Sequence, residues 1–87
     1  GKATPNPART SAVIEFGNAV RQPVELEVYD LNGRRVRRLQ TGDLSAGIFR
    51  VAWDLRSESG HAVAPGIYFV RLATRDFQRA DRMVVVH

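Results

Sequence analysis

From Ser11 to Phe16 the side chains alternate, Ala12, Ile14 and Phe16 falling on one face and Val13 and Glu15 on the other, until Gly17-Asn18 breaks the run. A period of two is the signature of a strand with one face buried. After Pro23 the alternation is cleaner: Val24, Leu26 and Val28 share a face opposite Glu25, Glu27 and Tyr29, which points Tyr29 outward. Phe49, Val51 and Trp53 alternate with Arg50 and Ala52, so the single Trp ends a half-buried strand. Ile67 to Thr74 begins apolar on both faces, as a covered central strand does, and Phe77 to Val86 supplies the last strand. No segment carries a helical period. The pattern predicts an all-β fold, a two-sheet antiparallel sandwich, with Ile14, Phe16, Leu26, Val28, Phe49, Val51, Trp53, Tyr68, Val70 and Leu72 in its core.

The turns refine this. Asn32-Gly33 signals a hairpin, and a two-residue loop would set Val28 opposite Arg37 on the core face. A three-residue loop, Leu31-Asn32-Gly33 with Gly33 left-handed, pairs Asp30 with Arg34 and Val28 with Val36, and is the register predicted. An irregularity near Arg37-Arg38 must then turn Leu39 inward. Ala64-Pro65-Gly66 fits a type II turn. Two prolines around Asn6 exclude helix from the start of the chain. Residues 1–10 therefore read as a linker and opening segment, and residues 11–87 as the sandwich domain.

Composition narrows the chemistry. Eighty-seven residues make one small domain, and Val, Ile, Leu and Phe number 24, enough for a packed core. The absence of Cys removes disulfides and thiolate chemistry. The two histidines, His61 in a Gly-flanked turn and His87 at the end, build no triad, and Asp54 and Glu58 share a loop without a cleft. That loop also lacks the spacing of a calcium site. No enzyme, metal or cofactor is expected.

Of 13 basic residues 12 are Arg, and the net charge is +4. Arg34, Arg35, Arg37 and Arg38 read as a charge-blunted edge strand, without the interleaved aromatics of a nucleic-acid site. The arginine excess admits an acidic cell-surface polysaccharide as partner, and Tyr29 and Phe77 are the candidate glycan contacts. No apolar run is long enough to span a bilayer. The chain starts at Gly1 without Met, which suggests a module of something longer, and a monomer is expected.

Several blocks resemble a known family: Asn6-Pro7, Thr10 to Phe16, Val28 to Arg34, Val51-Ala52-Trp53-Asp54, Gly60, Pro65 to Leu72, and Arg82 to Val85. They are similar to the Ig-like domain shared by flagellar hook-capping proteins and bacterial C-terminal sorting domains, including the type A sorting domains of the type IX secretion system. The resemblance implies an Ig-like antiparallel β-sandwich of about seven short strands. It also implies a non-catalytic C-terminal module that directs a larger secreted protein through the outer membrane to the cell surface. Its partners would be the secretion and surface-attachment machinery. The sorting motifs of that family correspond to Pro5, Asn6 and Pro7, to Gly66 and Tyr68, and to Arg82, Met83, Val84, Val85 and Val86. Two departures are visible: Arg82 stands where Lys is usual, and the turn after Asp54 reads Leu55-Arg56-Ser57. The alternatives are a carbohydrate-binding module, which needs an aromatic strip, and a passive Ig-like spacer of a secreted enzyme, which needs no site.

Overall fold

The computed structural model describes residues 3–86; Gly1, Lys2 and His87 lie outside the described residues. Nine strands follow one another: β1 Ala3–Thr4, β2 Ala12–Asn18, β3 Gln22–Pro23, β4 Glu25–Asp30, β5 Arg35–Gln40, β6 Asp43–Leu44, β7 Gly47–Trp53, β8 Gly66–Ala73 and β9 Gln78–Val85. Six of them have six residues or more, and β1, β3 and β6 are two-residue ladders. One sheet runs β1-β2-β7, the other β5-β4-β8-β9, and β3 pairs with β6 in a separate two-stranded ladder. Every pairing between named strands is antiparallel. The fold is the all-β sandwich that the periods predict.

Alternation decides what the sandwich buries. Ala12, Ile14 and Phe16 of β2 face Leu26 and Val28 of β4, Tyr68, Val70 and Leu72 of β8, and Met83 and Val85 of β9 in one core. Trp53 is fully buried at the end of β7, its ring edge-on to Tyr68 at 5.9 Å between centroids. Phe49 and Val51, expected inside, are only half-buried. The reason is position: β7 is the outer strand of its sheet.

The hairpin between β4 and β5 keeps its predicted tip and loses its predicted register. Asp30 N–H donates to Arg34 O at 2.9 Å, Gly33 N–H donates to Asp30 O at 3.0 Å, and Gly33 has φ +81°. Yet Val28 lies opposite Arg37, not Val36. One irregularity falls between Arg35 and Arg37 and a second between Arg38 and Gln40, so Val36 and Leu39 are the extra residues. Both pack against the core. Two apolar residues three positions apart cannot share a face of a regular strand, and two bulges resolve the conflict.

The opening segment packs on the sandwich as a collar. Ala3 and Ala8 belong to the core, and β1 pairs with β2. Pro65 sits at a bend and Gly66, at φ +153°, already opens β8, which replaces the expected type II turn. The polar stretch after Trp53 contributes two core plugs, Leu55 and Val63. At the far end, buried Asn18 donates to Leu44 O and Ser45 O at 3.1 and 2.9 Å and accepts from Gln22 at 2.8 Å.

Candidate functional site

Strand β9 forms the outer edge of the four-stranded sheet. An exposed edge offers unpaired N–H and C=O groups to any other strand. Here the opening segment covers its final part. Ala8 N–H donates to Val84 O at 2.8 Å and Val86 N–H donates to Ala8 O at 2.9 Å, a parallel bridge. The Asn6 side chain imitates the next strand residue: its Oδ1 accepts from Val84 N–H at 2.9 Å and its Nδ2 reaches Arg82 O at 3.4 Å. Pro5 and Pro7, which flank it, are exposed and bring no N–H of their own.

On its inner side β9 pairs with the start of β8, Gly66 opposite Val85, Ile67 opposite Val84 and Tyr68 opposite Met83. Gly66 holds a φ that side-chain-bearing residues rarely adopt. Tyr68 is buried and donates its hydroxyl to Ala64 O at 2.6 Å. Burial and the charge of Asp30 push its phenol upward. Along β9, Met83 and Val85 are buried while Arg82 is exposed, with no acidic partner among the described residues. A cleft of about 360 Å³ beside Arg82 is lined by Ala3, Thr4, Asn6 and Asp81. Three sequence-distant motifs, residues 5–7, 66–68 and 82–86, thus meet at one corner.

A second constellation lies on the outer face of the same sheet. The Glu27 side chain, 3% exposed, accepts from Tyr29 Oη at 2.9 Å and from Arg35 Nη1, Arg38 Nε and Arg71 Nη1, each at 3.2 Å. Burial pushes its carboxyl up, but the hydrogen bonds from Tyr29, Arg38 and Arg35 and the charge of Arg38 outweigh it and hold the group below its ordinary value. The other arginines of the run are also paired: Arg34 with Asp30, and Arg37 with Asp54 at 2.9 Å. The sequence pattern assigned Glu27 to the outward face correctly but carried no sign that arginines from two other strands would bury it.

The remaining candidates separate. Tyr29 is half-buried with its hydroxyl on Glu27, while Phe77 is exposed in the turn after β8. Tyr29 pairs with Phe69, four residues before the end of β8, a distance of about 13 Å along the strand. They form no shared platform. In the loop after Trp53, Ser57 Oγ, Ser59 Oγ and His61 Nδ1 are linked at 2.9 Å each, in an exposed turn where no described carboxylate holds the imidazole. Among the described residues no group of three or more His, Cys, Asp or Glu is placed to hold a metal ion.

Two facing antiparallel sheets with the terminal strand at an edge define an immunoglobulin-like sandwich domain. Residues 9–76 match the FlgD Ig-like domain, and the chain belongs to that family. The basal-body rod modification protein FlgD of Salmonella typhimurium is 35% identical over 75 residues, covering 83% of this chain and 32% of FlgD. The chain thus spans about a third of the length of the curated relatives it matches. Among solved structures, dimeric latent PorU from Porphyromonas gingivalis is 26% identical with a TM-score of 0.76, covering 98% of this chain and 9% of PorU. PorZ, an essential bacterial surface component of the type IX secretion system of the same organism, shares the fold at 21% identity and a TM-score of 0.65, covering 99% of this chain and 11% of PorZ. FlgD from Pseudomonas aeruginosa gives 25% and 0.65 over 85% of this chain and 57% of that one.

Proposed function

We propose that this domain is a non-catalytic label that directs a larger secreted protein through the outer membrane and onto the cell surface. The observation that carries the reading is the corner around β9. The opening Pro5-Asn6-Pro7 and the Gly66 to Tyr68 strand start both brace the last strand, and the exposed Arg82 side chain begins its terminal part. A strand braced on both sides presents its exposed side chains in fixed positions, which lowers the ordering cost of being recognised. The family match stops at residue 76, whereas the similarity to PorU covers 98% of the chain and so takes in β9. PorZ, a surface component of the type IX secretion system, has the same fold. The partners of this reading are the outer-membrane secretion and surface-attachment machinery, and its location is secreted, at the outer membrane or cell surface.

A reporter fused to the 87 residues, expressed in a host with a type IX system, tests it. Arg82→Ala removes an exposed side chain and should leave the melting temperature nearly unchanged while lowering surface delivery. Val85→Ala opens the core and should lower stability first. The proposal fails if a folded Arg82→Ala domain and a folded domain with a scrambled apolar terminal strand are both delivered normally; a passive spacer is then the better description.

A further inference from the structure

The outer face of the four-stranded sheet carries more positive charge than it neutralises. Register places its side chains in rows across the strands. Arg38, Glu27, Arg71 and Ala80 form one row, and Arg35, Tyr29, Phe69 and Arg82 form the next. Three guanidinia, those of Arg35, Arg38 and Arg71, stand over the buried Glu27, Arg82 lies at the far end of the next row, and half-buried Glu25 is one row further along. Glu27 takes one N–H from each of Arg35, Arg38 and Arg71, and Gln78 takes one more from Arg71 at 2.8 Å. A guanidinium has five N–H donors, so most remain unused on side chains that are 46%, 40% and 30% exposed. The carboxylate holds like charges side by side and fixes their directions, which is what a preorganised anion site needs.

We infer that this face binds an extended acidic peptide segment of a partner protein, with carboxylates at alternate positions. Two observations select that class. The two arginine rows are two residues apart along the strands, about 6.7 Å, the same repeat that separates i and i+2 side chains on one face of an extended peptide. The arginines are spread over two rows and three strands of the sheet face, so affinity comes from several weak charge-assisted contacts in line. The Tyr29 and Phe69 pair sits between Arg35 and Arg82, apolar surface for the methylene stems of the sheet-facing acidic side chains, while the intervening side chains point away. Arg82 is shared with the sorting reading, but Arg35, Arg38 and Arg71 belong to none of the terminal motifs, and the variants that test the inference leave Arg82 in place, so the two can fail separately.

The test is fluorescence anisotropy with a labelled peptide of alternating Glu and Thr, about ten residues long, at low ionic strength, with amide chemical shifts mapping the footprint. Saturable binding is expected, with shifts confined to the outer face of β5-β4-β8-β9 and affinity falling steeply with salt. The double variant Arg35→Gln/Arg38→Gln should weaken it by about tenfold or more. Arg35→Lys/Arg38→Lys, which keeps the charge and guards against a fold that does not tolerate Gln, should still weaken it several-fold because the planar fork is lost. Arg21→Gln/Arg50→Gln, which lie off this face, should change it little. The inference is overturned by no saturable binding, by equal weakening in the off-face control, or by equal binding of a peptide with its glutamates in one block. Tighter binding of an oligogalacturonate of equal charge also overturns it, in favour of a uronate polysaccharide.

Discussion

At Glu27 a single carboxylate holds side chains from three strands together. Its pH behaviour has a definite sign. A carboxyl lowered in the folded state contributes stability at every pH above its unfolded value, about 4.3, and loses it as pH falls through the lowered folded value. Glu27→Gln should therefore be about 1–2 kcal/mol less stable than the parent near neutrality, discounted for the partly exposed arginines. The gap should close as pH falls through and below the lowered folded value, measured by denaturant titration from neutrality into the acid range. Asp30, lowered first by the Arg34 backbone N–H, adds its own acid sensitivity to both proteins, so only the difference between them reports Glu27. Trp53→Ala belongs to another class of change: it empties the fully buried ring position beside Tyr68 and should cost about 3–5 kcal/mol in the same measurement. Gly33→Ala should cost about 1 kcal/mol, since its φ of +81° is the left-handed region although no atom blocks a Cβ there.

Strand edges show where the sequence could be read and where it could not. Alternation located β2, β4 and β7, because a half-buried strand writes its period into the chain, and the segments from Ile67 and from Phe77, the first apolar on both faces at its start, located β8 and β9. Strand β5 defeated it: the tip of its hairpin follows from Asn32-Gly33, but the bulges at Val36 and Leu39 depend on the core beneath, which no local pattern reports. Edge closure was equally hidden. Glu58 N–H donates to Val36 O at 3.0 Å and its carboxylate accepts from Arg38 N–H at 3.0 Å, so a loop residue stoppers the β5 edge as Asn6 stoppers β9. Both are contacts between segments far apart in the chain. Asn6→Ala should leave the Ala8 bridge intact, costing about 1 kcal/mol. Hydrogen exchange should separate the two anchors: the Val84 amide, bonded to Asn6 Oδ1, speeds up, while the Val86 amide, bonded to Ala8 O, does not.

For the molecule as a whole, the terminal motifs were legible as blocks of sequence, but their meeting at one corner was not, because it depends on Ala8 lying beside Val85 in parallel. That parallel contact has a mechanical meaning. When opposite ends of a chain are pulled apart, neighbouring parallel segments are drawn past one another along their length, so their hydrogen bonds share the load and do not open one by one. Ala8 donates to Val84 O and accepts from Val86 N–H, and Asn6 adds its two contacts to the same strand, making a small shear clamp between the two ends of the fold. Single-molecule stretching through residues 3 and 86 should show a distinct rupture force that Asn6→Ala lowers and Ala8→Pro, which removes the bridging N–H, lowers further. A domain hung from a larger protein and gripped at its last strand would thus be stiffest along the direction in which it is pulled.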